Sequence, residues 1–307
     1  MQDKIPVVVI VGPTASGKTA LGVSVAKWLS GEVISADSMQ VYSSMPIASA
    51  APTVEETQGV AHHLVGFLSP YEKFSVAAFL KLATEKANDI VSRGKVPVIV
   101  GGTGLYIDSL LNGVTFNDED CQEIRVALES EVDEKGIEVL FDRLRLLDPD
   151  SAERLHINDR KRIIRALEVY MLHGKTMTEL NRESLESGSV FAPIIIAITY
   201  RDREKLYDRI NKRVDIMMEN GLLEEAKRSF ETGVGDTAVQ AIGHKELFPF
   251  FEGNLSLSEA VENLKQATRR YAKRQLTWFR RNEQINWIYA DEVDNVFESA
   301  KEILKNF

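Results

Sequence analysis

The sequence predicts an α/β fold, in which a P-loop core with a parallel sheet flanked by helices carries an all-helical insertion domain. Apolar runs rich in β-branched residues at 6–11, 31–37 and 95–100 are typical of buried strands. Helical patterns at 20–29 and 75–93 separate these runs. Strands that alternate with helices predict a parallel sheet with its ligand beyond the carboxyl ends of the strands.

The first strand-to-helix turn has the spacing of a phosphate-binding loop. Residues 12–19 match G-x-x-x-x-G-K-[ST] between the first strand and the first helix. Loop amides and a helix N-terminus favour an anion. Lys18 supplies positive charge to the terminal phosphates, and the Thr19 hydroxyl is suited to hold Mg²⁺. The motif predicts a phosphate ester as ligand and leaves open which ester it is.

The chain changes character near residue 118. Only helical patterns and turns follow until about residue 190, and residues 193–199 then return as a buried strand. We therefore predict a helical insertion domain at 118–190 and an α/β core made of 1–117 and 191–307. Long helices are predicted at 201–220, 221–232 and about 256–282.

Composition limits the class of protein. The 307 residues are 44% hydrophobic and 27% charged, as in ordinary globular proteins, and no run is long enough to cross a bilayer. The single cysteine, Cys121, excludes an internal disulfide and a cysteine-rich zinc site. No signal peptide is visible. We expect a cytoplasmic protein that has no membrane partner and acts as a monomer.

Charge is distributed unevenly along the chain. The net charge is −9, yet residues 159–165 contain four basic side chains, and residues 265–281 contain seven Lys or Arg and no acid. Such stripes suit an RNA backbone, and they equally suit a solvated helix face. The rings interleaved in the second stripe, Tyr271, Trp278 and Phe279, favour core packing over base stacking.

Two polar residues follow predicted strands beside the phosphate loop. Asp37 has three interpretations, namely a general base, a second-shell Mg²⁺ ligand or a helix N-cap. Thr103 lies in Gly101-Gly102-Thr103-Gly104, where it either contacts a ligand or caps a glycine-rich turn. Because parallel strands end at one edge of the sheet, both residues are expected near the phosphate loop.

Taken together, these strings resemble the tRNA dimethylallyltransferase (tRNA isopentenyltransferase) family, of the bacterial type. The matching strings occupy 12–19, 35–42, 101–106, 158–159 with 162–170, 240–243 and 271–280. The resemblance implies transfer of a dimethylallyl group from dimethylallyl diphosphate to N6 of the adenosine on the 3′ side of the tRNA anticodon. The implied partners are tRNA, through its anticodon stem-loop, and dimethylallyl diphosphate, with Mg²⁺ as cofactor.

The resemblance also implies roles for individual residues. Asp37 and Thr103 would be catalytic, and Thr19 would hold Mg²⁺. The diphosphate would bind to Gly12, Pro13, Thr14, Ala15, Ser16, Gly17, Lys18 and Thr19. The tRNA would contact Asp37, Ser38, Met39, Gln40, Thr103, Arg125, Lys161, Arg162, Arg165, Gln240, Gly243 and Lys245.

The chain departs from the family pattern at three places. Residues 46–51 lack a Thr and a Lys that are common there, Lys161 replaces a usual Gln, and His244 replaces a usual Tyr. No zinc finger follows residue 282, which favours the bacterial type. Three alternatives stay open: prenylation of free adenine nucleotides, a P-loop kinase, and an RNA-binding protein with a vestigial phosphate loop.

Overall fold

A six-stranded parallel sheet forms the centre of the protein. The computed structural model describes residues 4–114 and 122–307. The strands are β1 (Ile5–Val11), β2 (Glu32–Ala36), β3 (His62–His63), β4 (Pro97–Gly101), β5 (Phe191–Thr199) and β6 (Asn286–Tyr289). They lie in the order β3-β2-β4-β1-β5-β6, and every neighbouring pair is parallel. The predicted α/β fold is confirmed, whereas β3 and β6 were not predicted.

The described residues divide into two compact units. The first comprises the residues up to Asp108 together with Val190–Phe307, and the second comprises Ser109–Ser189. The predicted boundary between residues 117 and 118 lies outside the described residues, as does Cys121.

Helices cover both faces of the sheet in the first unit. They are α1 (Lys18–Trp28), α2 (Val54–Thr57), α3 (Val76–Ser92), α4 (Gly104–Asn112), α10 (Arg203–Glu219), α11 (Leu222–Thr232), α12 (His244–Phe251), α13 (Leu257–Phe279) and α14 (Val296–Ile303). Val8 and Ile10 of β1 pack in one cluster with Leu21 of α1 and Leu304 after α14. The alternating side chains of β1, such as Val9, are also fully buried. Each buried Val or Ile contributes roughly 1.5–3 kcal/mol, which explains the unbroken apolar runs.

A second apolar cluster joins the long helices after β5. Val214 of α10, Leu222 of α11, Leu247 of α12 and Leu264 of α13 pack together. A capping box starts α13, because the Ser256 hydroxyl accepts from the backbone amide three residues later and that residue's carboxylate returns to Ser256. None of the described helices is both long and apolar enough to span a membrane.

The second unit is helical in its described part. Its helices are α5 (Gln122–Lys135), α6 (Ile137–Leu147), α7 (Pro149–Arg154), α8 (Arg160–His173) and α9 (Met177–Ser187), with the end of α4 before them. Leu128, Leu140, Leu144 and Ile163 are almost fully buried in one cluster. This unit therefore has an apolar core of its own.

Candidate active site

The carboxyl ends of three neighbouring strands bring the predicted site residues together. The strand pairing sets Val11 of β1 opposite Gly101 of β4, and Gly101 opposite Ala36 of β2. The loops that follow these strands begin at Gly12, at Asp37 and at Gly102. The predicted convergence at one sheet edge is therefore observed in the first unit.

The loop after β1 has the backbone of an anion-binding turn. Helix α1 begins at Lys18, directly after Gly17, whose φ of 99° favours glycine. A Cβ at Gly12 would overlap the Ile198 carbonyl oxygen, so only glycine fits there. Arg209 of α10 donates from Nε to the Ala15 carbonyl at 3.0 Å and fixes the tip of the loop. Because the first amides of a helix stabilise an anion, this turn is suited to bind one.

Lys18 occupies an electrostatically strained position. Burial and, to a smaller extent, the positive charge of Arg213 lower the pKa of its ammonium group from 10.5 to about 8, although the negative charge of Asp37 acts in the opposite direction. Its Nζ donates to the Pro13 carbonyl at 3.3 Å. Two cations kept close together in a partly desolvated site are the arrangement that an anionic ligand relieves.

Asp37 and Thr103 organise the neighbouring turn. Asp37 Oδ1 accepts from the Met39 amide at 2.9 Å and caps a turn; the helix N-cap interpretation is wrong, because no helix begins in residues 38–53. Within residues 4–114 and 122–307, its Oδ2 accepts no hydrogen bond, and Asp37 lines a cavity beside the phosphate loop. Thr103 Oγ1 accepts from the Ser38 amide at 3.1 Å. Thr103 thus ties the loop after β4 to the turn that carries Asp37.

A cavity of about 260 Å³ extends from the phosphate loop past Asp37. Its walls combine a cationic part with an apolar part. The charged side chains in its lining are Lys18, Asp37, Arg213, Lys245 and Arg274. The apolar ones include Val214, Met217, Ile242 and Leu264. Such a cavity suits a small molecule that has an anionic end and a short hydrocarbon end.

The loop at 46–51, where the sequence departs from the family pattern, is held through its backbone. Glu225 of α11 is only 1% exposed, and its carboxylate accepts from the amides of Ile47 at 2.9 Å and Ala48 at 2.8 Å. His244 Nε2 lies 3.0 Å from the same carboxylate. Because Ala48 lines the cavity, this buried pair shapes one wall of the site.

Other predicted residues are distributed over both units. Thr14, Thr19, Ser38, Met39, Gln40 and Gln240 also line the cavity. Gly243 does not line the cavity. It caps α12 instead, and its amide donates to Glu246 Oε2 at 2.9 Å. Arg213, Tyr271 and Gln275 line the cavity without having been predicted as site residues.

The predicted tRNA-contacting residues of the second unit differ in their surroundings. Glu168 of α8 is completely buried, and it binds Arg125 at 2.9 Å and Arg165 at 3.1 Å. Arg162 is 70% exposed with its nearest carboxylate 3.8 Å away, and Lys161 is also exposed. The predicted cap residue Asp159 precedes α8 but accepts from His156 rather than from the first turn of the helix.

The sequence is similar to family models and to proteins of known name. The sequence model of the family described as IPP transferase matches residues 40–282, and one described as isopentenyl transferase matches residues 5–65. A tRNA dimethylallyltransferase of Acetivibrio thermocellus is 49% identical over 98% of this chain and 95% of its own length. One from Bacillus subtilis is 46% identical over 92% of this chain and 90% of its own.

The structure is also similar to solved structures of tRNA-modifying transferases. The tRNA isopentenylpyrophosphate transferase of Bacillus halodurans has a TM-score of 0.70 at 44% identity, with 98% of this chain and 94% of that chain covered. A eukaryotic dimethylallyltransferase acting on tRNA has a TM-score of 0.85 at 30% identity, with 98% and 79% covered. Fold and site define an α/β protein whose candidate site lies at the carboxyl edge of a parallel sheet. The chain belongs to the IPP transferase family.

Proposed function

We propose that this protein transfers a dimethylallyl group from dimethylallyl diphosphate to N6 of the adenosine on the 3′ side of the anticodon in tRNA. The observation that carries the proposal is the single cavity that joins a cationic phosphate loop, an apolar wall and the carboxylate of Asp37. The proposal is supported by relatives that match nearly the whole chain and are named tRNA dimethylallyltransferase or tRNA isopentenylpyrophosphate transferase.

The donor end of the reaction needs a site for the departing diphosphate. Lys18 and Arg213 supply positive charge, and the amides at the start of α1 supply hydrogen-bond donors. The apolar wall, formed by Met217 and Leu264 among others, accommodates the five-carbon chain. As the C–O bond to diphosphate breaks, these cations offset the charge that collects on the leaving group.

The acceptor end needs a base, because the lone pair of the adenine amine is delocalised into the ring. N6 forms a bond to the allylic carbon, diphosphate leaves with the electron pair of the broken C–O bond, and the surplus proton on N6 passes to Asp37. The oxygen of Asp37 that does not cap the turn is the one available for this proton. The adenosine must first leave the anticodon stack to enter the cavity.

Mg²⁺ fits the oxygen donors next to the phosphate loop. The Thr19 hydroxyl, the Asp37 carboxylate and the Gln40 side chain line one small pocket beside Lys18. Hard oxygen ligands that leave room for water and a substrate phosphate are those that Mg²⁺ prefers. Bound there, Mg²⁺ would neutralise diphosphate charge. Thr19 is the residue that we propose to hold it.

We propose two groups of tRNA contacts. Ser38, Met39, Gln40, Gln240 and Lys245 would receive the extruded base and its neighbours, because they line the cavity. Arg162 and Lys161, exposed on α8, would contact phosphates of the stem. Arg125 and Arg165, both bound to Glu168, are the other residues of the second unit that we propose to contact the RNA.

A transfer assay tests the proposal directly. Purified protein, Mg²⁺ and labelled dimethylallyl diphosphate are incubated with an anticodon stem-loop that carries the target adenosine, with the same stem-loop carrying guanosine there, or with AMP. We expect label only in the adenosine stem-loop. Label in AMP would favour a free-nucleotide prenyltransferase. Label in none of them would overturn the proposal and favour a kinase or a binding protein.

A further inference from the structure

One face of helix α13 lies against the loops of the candidate site. Tyr271, Gln275 and Trp278 are spaced four and three residues apart, so they project from the same side of the helix. Tyr271 lines the cavity that also contains Asp37. Trp278 packs against Gly104, where a Cβ would overlap the indole ring, and its Nε1 donates to Asp108 at 2.6 Å. The middle residue of the three, Gln275, bridges two loops.

Gln275 joins the phosphate loop to the loop that carries Thr103. Its Oε1 accepts from the Thr14 amide at 2.9 Å, and its Nε2 donates to the Gly102 carbonyl at 3.0 Å. Gln275 is only 5% exposed; its bond to Gly102 is buried, and its bond to Thr14 is partly buried. A Cβ at Gly102 would overlap Nε2, which shows how closely the amide is applied to that loop.

A side chain that bridges Thr14 and Gly102 must be a primary amide. Thr14 presents an N–H and Gly102 presents a carbonyl oxygen, so the bridging side chain must accept at one atom and donate at another. A carboxylate cannot donate, and an ammonium group cannot accept. Glutamine meets both requirements without bringing a charge into the buried position.

We propose that Gln275 is a positioning residue that fixes the distance between the diphosphate loop and the Thr103 loop. The inference rests on the proposed function, because these two loops would hold the prenyl donor and the acceptor base. Reacting groups must be held within a fraction of an ångström, and a displacement of about 1 Å is able to cost about 100-fold in rate. Gln275 touches neither reacting atom and acts through the two loops.

Two substitutions and one matched control test the proposal. Gln275→Met has similar volume and makes neither hydrogen bond. Gln275→Glu can still accept from Thr14, but it donates to Gly102 only when its carboxyl group is protonated. Gln266→Met is the control, since Gln266 lies on the exposed side of the same helix. For each protein, kcat, both KM values, stem-loop affinity and the thermal midpoint are measured.

We expect Gln275→Met to lower kcat by about 10- to 100-fold while both KM values change by less than about threefold. For Gln275→Glu, the ratio of its kcat to the wild-type kcat should rise as pH falls from 8 to 6, because burial raises the pKa of the introduced carboxyl group. A role confined to folding would lower the thermal midpoint and the active fraction without this ratio changing. Gln266→Met should match the wild type.

The outcomes separate this inference from the proposed function. Wild-type protein that does not label the stem-loop overturns the proposed function itself. If the wild type labels the stem-loop and Gln275→Met keeps a kcat within about twofold of Gln266→Met, the positioning role is wrong. If Gln275→Met does not fold, a kcat ratio for Gln275→Glu that is independent of pH overturns the inference instead.

Discussion

Lys18 should make the affinity for a prenyl diphosphate fall as the pH rises above neutrality. Burial and the neighbouring Arg213 lower the pKa of the Lys18 ammonium group to about 8. A lysine with a lowered pKa is charged below that pH and neutral above it. The ligand does not offset this change, because phosphate groups ionise near pH 6 and keep or gain negative charge at higher pH.

The size of the effect follows from the fraction of Lys18 that is protonated. With a pKa of about 8, this fraction falls from about 90% at pH 7 to about 10% at pH 9. If the ammonium form alone binds the diphosphate, Kd should rise about tenfold over that range. Binding at pH 8 should also take up about half a proton per ligand, because the anion raises the pKa of Lys18, which is half protonated at that pH before binding.

Calorimetric titration of a non-hydrolysable dimethylallyl diphosphate analogue measures both quantities. Constant ionic strength, constant free Mg²⁺ and buffers of different ionisation enthalpy are required to count protons. Lys18→Arg provides the control, since its guanidinium group stays charged and its Kd should be nearly flat from pH 7 to 9. A wild-type Kd that does not change between pH 7 and 9, with no proton uptake, would refute the assignment of the diphosphate to Lys18.

Three further substitutions test other parts of the site. Asp37→Asn can still cap its turn but carries no charge. Its kcat should fall by about 10²- to 10⁴-fold, with stem-loop affinity unchanged. An unchanged kcat would show that Asp37 is not the general base. Arg162→Ala should reduce the slope of log K against log salt for tRNA by about 1, and an unaltered slope would mean that Arg162 contacts no phosphate. Glu225→Ala should cost about 3–5 kcal/mol by leaving buried partners unpaired. Glu231→Ala, at the exposed end of the same helix, should cost less than about 0.5 kcal/mol; equal thermal midpoints for the two variants would contradict the role of Glu225.

Strand prediction succeeded where burial imposes a long apolar run. β1, β2, β4 and β5 are covered on both faces, and the pattern is visible in the residues themselves. β3 has two residues and β6 has four, and they lie at the edges of the sheet. Segments this short carry no periodicity, so only their pairing with β2 and β5 defines them as strands.

The site was predictable where a local motif carries the chemistry. The phosphate loop, Asp37 and Thr103 follow strands, and strand ends meet at one edge for topological reasons. Gln275 binds Thr14 across 261 positions of sequence, and no local pattern indicates such a contact. The role of Glu225 could not be predicted from the sequence either. A carboxylate on an amphipathic helix predicts an exposed side chain, whereas Glu225 is buried against backbone amides.

The strand order has a consequence for synthesis on the ribosome. β1 lies between β4 and β5, and β5 begins at Phe191, 180 residues after β1 ends at Val11. At a translation rate of about 5–20 residues per second, β5 is synthesised roughly 10–40 s after β1, and one edge of this valine-rich strand is unpaired during that time. The second unit, with its separate core, is completed within that interval. An unpaired apolar edge invites association with other nascent chains. The unpaired edge of β1 is therefore the place where we expect nascent chains of this protein to aggregate during translation.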